Sequence, residues 1–210
     1  MQANDLDPAQ EYIFTIGHSN ISFEDLLQDV EAYGVEALAD VRSQPVSKYT
    51  PHFNRNELLW RMQEAGIKYA FMGDQLGGRP SGTEFYDDEG YVRYDLWSAS
   101  EAFQDGIAKL EIAATRRRVA VLCSEENPAD CHRHLLIARV LENRGWASSR
   151  IIHIRSDGSC LPDEGIPVQQ DLFGGTVGWR SPQSVLHKVQ RSTSSNVSRE
   201  LESADSWTSG

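Results

Sequence analysis

The sequence contains few cysteines, no basic leader segment and no long apolar run. Its 210 residues include 3 cysteines, an odd number that cannot all pair within one chain. The N-terminal stretch MQANDLDPAQ lacks the basic and apolar segments of a secretory signal. No stretch approaches the roughly 18 apolar residues that a membrane-spanning helix needs. We therefore expect a soluble cytoplasmic protein with free thiols and no membrane partner.

Positive charge is also scarce. The chain has 20 Lys and Arg residues against 31 Asp and Glu residues, a net charge of -11. Proteins that bind duplex DNA by themselves are usually basic, because their phosphate contacts come from Lys and Arg. This balance argues against broad electrostatic binding of nucleic acid and leaves room for a local basic patch.

Apolar runs alternate between strand-like and helix-like spacing. Strands are predicted at residues 12–16, 35–41, 67–72, 119–123 and 150–154. Helices are predicted to begin after Ser22, Asn54 and Asp130, and another spans residues 98–117. This alternation predicts an α/β fold over residues 11–157, a Rossmann-like three-layer domain with a mostly parallel five-stranded sheet. The long acidic loop after strand three is expected to act as a lid or binding element.

The composition changes after the fifth predicted strand. Residues 158–173 are predicted to form an extended segment. From Gly174 to residue 210 the sequence is rich in Ser, Thr and Gly, with little periodicity. Such a composition buries too little apolar area to offset the entropy of ordering, so this tail is predicted to be disordered.

Functional side chains follow nearly every predicted strand. In a parallel sheet the carboxyl ends of the strands meet at one edge, where ligands bind. Asp40 and Arg42 are either a buried ion pair or a general base beside a phosphate-binding arginine. We expect a ligand site built from the residues at these strand ends: His18, Ser19, Asp40, Arg42, Gly77, Gly78, Cys123 and Glu125.

The densest cluster of reactive side chains runs from Cys123 to His134. Cys131 is expected in the first turn of a helix, where free N–H groups and the helix dipole lower a thiol pKa. The cluster then supplies a nucleophilic thiolate, or Arg133 and backbone donors cradle an anion. A third alternative is that Cys123 and Cys131 only pack against the sheet.

A metal site is not expected in this cluster, and no cofactor is predicted. Cys123, Cys131, His132 and His134 lack the paired spacing of common zinc sites. Cys131 and His132 are adjacent, and neighbouring residues on a helix point in different directions.

Several short motifs together carry a resemblance to a known family. The chain is similar to the domain-of-unknown-function family 488 over residues 12–155. The resemblance implies that His18, Asp40, Arg42, Cys123, Glu125, Cys131, His132 and Arg133 form one site, and it implies no particular reaction. His134 stands where a small residue is expected, so no role is carried onto it. The motifs are Thr15-Ile16-Gly17-His18-Ser19, Asp40-Val41-Arg42, Phe53-Asn54, Leu76-Gly77-Gly78, Cys123-Ser124-Glu125 and Cys131-His132-Arg133.

A second resemblance lies beyond the predicted domain. The pentapeptide Gln169-Gln170-Asp171-Leu172-Phe173 looks like the peptide by which bacterial replication and repair proteins bind the sliding clamp. Gln169 and Asp171 would contribute polar contacts, while Leu172 and Phe173 would fill an apolar pocket. The alternative is that Leu172 and Phe173 fold back onto the domain.

These features predict an enzyme, a hydrolase or transferase acting on a phosphate-bearing nucleotide or nucleic-acid component, with a link to DNA repair. His18 and Asp40 are the acid and base candidates, with Glu125 and His132 beside the thiols. Arg42 and Arg133 are candidate phosphate ligands, and Cys131 or Cys123 is the candidate nucleophile. The alternative is a non-catalytic ligand-sensing or adaptor domain that is recruited to the sliding clamp.

Overall fold

The computed structural model describes residues 1–166 and 179–184. The strands are β1 (Ile13–Gly17), β2 (Ala37–Asp40), β3 (Lys68–Phe71), β4 (Val119–Cys123), β5 (Ile151–Ile154) and β6 (Cys160–Pro162). The α-helices are α1 (Phe23–Ala32), α2 (Arg55–Glu64), α3 (Gly73–Leu76), α4 (Tyr94–Ala99), α5 (Glu101–Ala114) and α6 (Arg139–Asn143). A π-helix, Arg133–Ala138, precedes α6, and 3₁₀ turns lie at Ala3–Asp5, Pro51–Phe53, Thr83–Phe85, Pro128–Asp130, Ser148–Arg150 and Asp163–Gly165.

The sheet is mostly parallel, as predicted, but it has six strands rather than five. Its order is β3-β2-β4-β1-β5-β6, and only β6 runs antiparallel to its neighbour among the described strands. The sequence did not reveal β6 because Cys160–Pro162 is too short to show alternation and contains a proline. β4 lies between β2 and β1, so the order also differs from that of a doubly wound Rossmann sheet.

Helices cover both faces of this sheet. Alternate residues of β1 and β4 enter two separate cores, because successive side chains of a strand point to opposite faces. Ile13 and Val121 join the core that contains α4, α5 and α6. Phe14 and Leu122 join the core that contains α1 and α2. The result is three layers, with β1 and β4 buried at every position.

The predicted starts of α1 and α2 are both confirmed, but only α1 has the predicted side-chain cap. Ser22 Oγ accepts the Asp25 backbone N–H at 3.0 Å, and Gly34, which follows the helix, has a φ of 63°. Asn54 precedes α2 but makes no side-chain cap. Its Oδ1 instead accepts the Ser47 N–H at 2.6 Å, because the loop before α2 folds back over the helix start.

Two other predicted helices exist with shifted bounds. The helix predicted at 98–117 is α5, which begins later because Ser100 caps it by accepting the Phe103 N–H at 3.2 Å; α4 before it was not predicted. The helix predicted after Asp130 is the π-helix with α6, and it starts beyond Asp130. Pro128–Asp130 is a 3₁₀ turn, and Cys131 after it is extended, with φ and ψ of -120° and 143°.

Six residues of the predicted disordered tail pack against the domain. Trp179 Nε1 donates to the Leu135 carbonyl at 2.7 Å, and Ser181 N donates to the Val92 carbonyl at 2.9 Å. Arg180 Nη1 lies 3.0 Å from Glu89 Oε2. Gln169, Asp171, Leu172 and Phe173 fall outside the described residues. No helix within the described ranges has the length and apolar character needed to cross a bilayer.

Candidate active site at the carboxyl edge of the sheet

A cavity of about 190 Å³ lies where the parallel strands end. Residues after β2, α3 and β4 form three of its sides, because parallel strands place all their carboxyl ends on one edge. Residues 181–183 form a further side. The lining includes two arginines, two carboxylates, two thiols and an imidazole, which belong to Arg42, Arg79, Glu125, Asp130, Cys123, Cys131 and His132.

Cys123, Cys131 and His132 form the central feature of this cavity, here called the sulfur–imidazole trio. His132 Nδ1 lies 3.6 Å from Cys123 Sγ and 3.8 Å from Cys131 Sγ. Glu125 Oε2 lies 2.9 Å from Cys123 Sγ and 3.8 Å from Cys131 Sγ. The three ligand-type atoms of the trio lie within 4.8 Å of one another.

The two thiols of the trio differ in acidity. A hydrogen bond from Cys131 and the positive charge of His132 lower the pKa of Cys123. Together they outweigh burial, which raises this pKa. Burial and the neighbouring Cys123 raise the pKa of Cys131. Burial lowers the pKa of His132, but the negative charges of Cys123 and Glu125 outweigh it and leave a net rise. Cys123 is therefore the thiol that ionises first.

Glu125 completes this group on its open side. Glu125 is exposed towards the cavity. The protein packed around its carboxylate nevertheless raises its pKa, and the negative charge of Cys123 raises the pKa further. The 2.9 Å separation from Cys123 Sγ is close enough for the two groups to share a proton. Glu125 is thus placed to accept or return a proton beside the sulfur.

The local backbone explains how the trio assembles. Cys123 ends β4, and the extended conformation of Cys131 turns its thiol towards His132. The expectation that Cys131 and His132 diverge was wrong, because it assumed that Cys131 is helical. Gly78 allows His132 to approach, since a Cβ there would lie 2.8 Å from the imidazole Cγ. The Gly77 carbonyl accepts the Trp97 Nε1–H at 2.9 Å, which fixes the turn.

Asp40 and Arg42 form a buried ion pair, which is one of the two alternatives that the sequence left open. Arg42 Nε donates to Asp40 Oδ1 at 2.8 Å, and Arg42 Nη2 donates to Oδ2 at 2.6 Å. The Tyr69 hydroxyl also donates to Oδ2, at 2.7 Å. Asp40 has no exposed surface. Its carboxylate therefore orients Arg42 and has no free side from which to act as a base.

His18 and Ser19 lie beside this ion pair, in a neighbouring cavity of about 330 Å³ that shares Arg42 with the first. His18 Nδ1 pairs with the Ser19 carbonyl at 2.9 Å, and Arg42 Nη1 lies 3.1 Å from His18 Nε2. Burial and the Arg42 charge lower the His18 pKa to about 4, so the ring is neutral near pH 7. Ser19 has a positive φ of 42°, which is uncommon for a residue with a side chain.

Arg133 does not contribute to the cavity. It is the first residue of the π-helix and is fully buried. Its Nη2 donates to the Glu126 carbonyl, while Nε and Nη1 have no partner among the described residues. A ligand in the cavity meets Arg79 instead, which is exposed there. The position of Arg79 directly after Gly77-Gly78 was a signal available in the sequence.

A second cluster of metal-ligand types lies outside the cavity. Asp163 Oδ1 lies 2.7 Å from His134 Nδ1 and 2.7 Å from His153 Nε2. The Thr15 hydroxyl binds the other nitrogen of His153 at 2.7 Å. Among the described residues, this cluster and the sulfur–imidazole trio are the two groups with the donor types and spacing to hold a metal ion.

The fold and the cavity together define a three-layer α/β domain with a thiol, imidazole and carboxylate site. The family model described as "Domain of unknown function DUF488" matches residues 22–140, which is more than half of the chain. The chain belongs to this family. The match includes the trio, Glu125, Asp40 and Arg42, whereas His18 and the clamp-like pentapeptide lie outside it. No curated protein and no solved structure matches the chain.

Proposed function

We propose that this protein is an enzyme, a hydrolase or transferase, that acts on a phosphate-bearing nucleotide or nucleic-acid component. The observation that carries this proposal is a single cavity that joins the sulfur–imidazole trio and Glu125 to two arginines, Arg42 and Arg79. Reactive groups and anion-binding groups within one site are what such a reaction requires.

The arginines indicate an anionic ligand. In a chain with a net charge of -11, a cavity in which two arginines balance the carboxylates of Glu125 and Asp130 departs from the average surface. The Arg79 guanidinium makes no hydrogen bond or ion pair to any described residue, so its donors remain available. Arginine suits phosphate because its planar fork offers two parallel N–H donors. Arg42 is held at the cavity wall by Asp40 and His18.

The trio and Glu125 supply the reacting groups in this proposal. A free Cys123 thiolate would attack the substrate directly, whereas a metal ion held by the trio would activate a water molecule. Glu125 would take the proton in either case, because it lies beside the sulfur and faces the cavity. His18 and Asp40 act in this scheme by positioning Arg42.

The test is a turnover screen with nucleoside mono-, di- and triphosphates and short single-stranded oligonucleotides, with product release measured by chromatography. We expect turnover that Glu125→Gln lowers by about 100-fold, a common contribution of one general acid or base. Cys123→Ser should lose a similar amount. Cys160→Ser is the matched control, because Cys160 is buried in β6 beyond the cavity.

Arg79→Gln should weaken nucleotide binding by about 10-fold or more, as expected for a charge-assisted contact. Arg116→Gln is its control, since Arg116 borders a different cavity, lined by Gly34 and Gly66, that Arg79 does not reach. The proposal is wrong if the full chain neither binds nor converts any member of the screen. It is also wrong if Cys123→Ser and Cys160→Ser behave alike.

A second candidate function rests on the pentapeptide at residues 169–173. Its Leu172 and Phe173 would anchor the protein to a bacterial sliding clamp, as a ligand-sensing adaptor or as a means of bringing the enzyme to DNA. The acidic chain would be repelled by DNA, so recruitment through another protein would overcome that repulsion.

A further inference from the structure

The two nitrogen–sulfur distances in the sulfur–imidazole trio match those between ligands of one tetrahedral zinc ion. Zinc lies about 2.3 Å from a cysteine sulfur and about 2.0–2.1 Å from an imidazole nitrogen, so a tetrahedral angle separates sulfur from nitrogen by about 3.6 Å. The observed separations from His132 Nδ1 are 3.6 Å to Cys123 Sγ and 3.8 Å to Cys131 Sγ. Both lie within the tolerance of about 0.2 Å that a zinc site allows.

We infer that Cys123, Cys131 and His132 bind a Zn²⁺ ion whose fourth coordination position opens into the cavity. Two thiolates and one imidazole form a ligand set that selects zinc. Catalytic zinc sites use this set and leave the fourth coordination position open. All three residues line the cavity. The binding of the ion stands on this geometry alone, and its use in catalysis rests on the proposed function.

The charges around the trio favour a cation. Among the described residues, His132 is the one basic side chain that forms a hydrogen bond with either sulfur. Arg42 is committed to Asp40 and His18. The positive charge of buried Arg133 reaches Cys131, but it is opposed by Glu125, whose carboxylate contacts both sulfurs. A divalent ion that displaces both thiol protons neutralises the two resulting thiolates in a nearly buried position.

Glu125 is placed beside the open position and not as the fourth ligand. Its Oε2 lies only 2.9 Å from Cys123 Sγ, shorter than the roughly 3.5 Å that separates two ligands of one zinc ion. An ion held by Cys123, Cys131 and His132 would lower the pKa of a water molecule at the open position. Glu125 would take the proton from that water as its oxygen bonds to the substrate phosphorus. Glu125 would then return the proton to the leaving oxygen as the bond from phosphorus to that oxygen breaks.

The cluster of His134, His153 and Asp163 is the weaker metal candidate. Its two N–O separations of 2.7 Å are shorter than the roughly 3 Å between ligands of one ion. They match direct hydrogen bonds instead. The same comparison therefore selects the trio as the zinc site.

The test measures metal in the full chain, purified without a histidine tag from zinc-supplemented medium. We expect one zinc per chain by elemental analysis. Replacing zinc with Co²⁺ should give the visible bands of a tetrahedral ion and near-ultraviolet thiolate-to-cobalt absorption. Cys123→Ser and Cys131→Ser should each weaken Zn²⁺ affinity by at least about 100-fold, whereas Cys160→Ser and His134→Ala should leave the affinity unchanged.

The cobalt spectrum of the unmodified protein keeps the inference falsifiable if a cysteine variant fails to fold. An octahedral spectrum without thiolate absorption, or binding that depends on His134 rather than on Cys123, would overturn it. Zinc bound as expected with no turnover of any nucleotide would leave the metal site standing and remove the proposed function. Full turnover by chelator-treated, metal-free protein would leave the proposed function standing, remove the catalytic role of the ion and assign Cys123 as the nucleophile.

Discussion

Two polar clusters at the carboxyl edge of the same sheet differ in how completely their atoms are paired. In the first, Asp40, Arg42 and His18 form short hydrogen bonds, and Tyr69 adds another. In the second, the sulfur–imidazole trio has contacts of 3.6 and 3.8 Å, and His132 Nε2 is buried without a partner of normal geometry among the described residues. A fully paired network fixes a structure, whereas an incompletely paired one retains capacity to bind a ligand.

The largest effect on stability is expected in the cluster of Asp40, Arg42 and His18, here called the paired cluster. Asp40→Asn leaves the Arg42 charge buried without its counterion, so we expect the free energy of unfolding to fall by about 3–5 kcal/mol. Urea denaturation measures this change. Asp95→Asn is the control, because the Arg93–Asp95 pair is solvent-exposed and should contribute little. Equal losses in the two variants would contradict the assignment of Asp40 as the structural partner of Arg42.

A pH dependence comes next in size and also belongs to the paired cluster. The His18 pKa is lowered from 6.5 to about 4 in the folded protein, so the unfolded chain binds more protons between these values. Stability contributed by neutral His18 is therefore complete above pH 6.5 and is lost as the pH falls towards 4. The loss approaches about 3 kcal/mol. His18→Gln should flatten unfolding free energies measured from pH 7 to pH 4, and an unchanged slope in this variant would contradict the prediction.

A smaller effect on stability, with a larger effect on function, is expected in the trio. Gly78→Ala places a Cβ 2.8 Å from His132 Cγ, so the imidazole must move away from the sulfurs. We expect a loss of about 1–2 kcal/mol in stability, with a clear drop in zinc affinity and turnover. Gly82→Ala is the matched control, because the added Cβ meets only the flexible Glu84 carboxylate. A variant that keeps full metal affinity would show that the position of His132 is not critical.

The smallest effect on domain stability is expected in the pentapeptide. Changing Leu172 and Phe173 together to Ala should abolish binding to a bacterial sliding clamp and leave the melting temperature nearly unchanged. The unmodified chain should bind weakly, on the order of micromolar, because a short peptide loses entropy on docking. Calorimetric titration against a clamp measures the affinity. Unfolding of the double variant would instead identify the pair as a contact with the domain.

The sequence determined the parts of this protein that depend on local pattern. Strand and helix periodicity predicted a three-layer α/β domain, and the Ser22 cap and the buried strand VAVLC were predicted correctly. The convergence of the strand ends also followed, because parallel strands place their carboxyl ends on one edge. The six short motifs, taken together, correctly indicated the family.

Only the tertiary structure decided which of these side chains meet. Cys131 is extended because the 3₁₀ turn begins at Pro128, and this conformation brings its thiol to His132. Arg133 is buried and Arg79 faces the cavity, a choice set by packing that motif spacing does not encode. Arg180 pairs with Glu89 across 91 residues of chain, which brings residues 181–183 to the cavity. Such contacts form only when distant segments fold together, so no local pattern in the sequence records them.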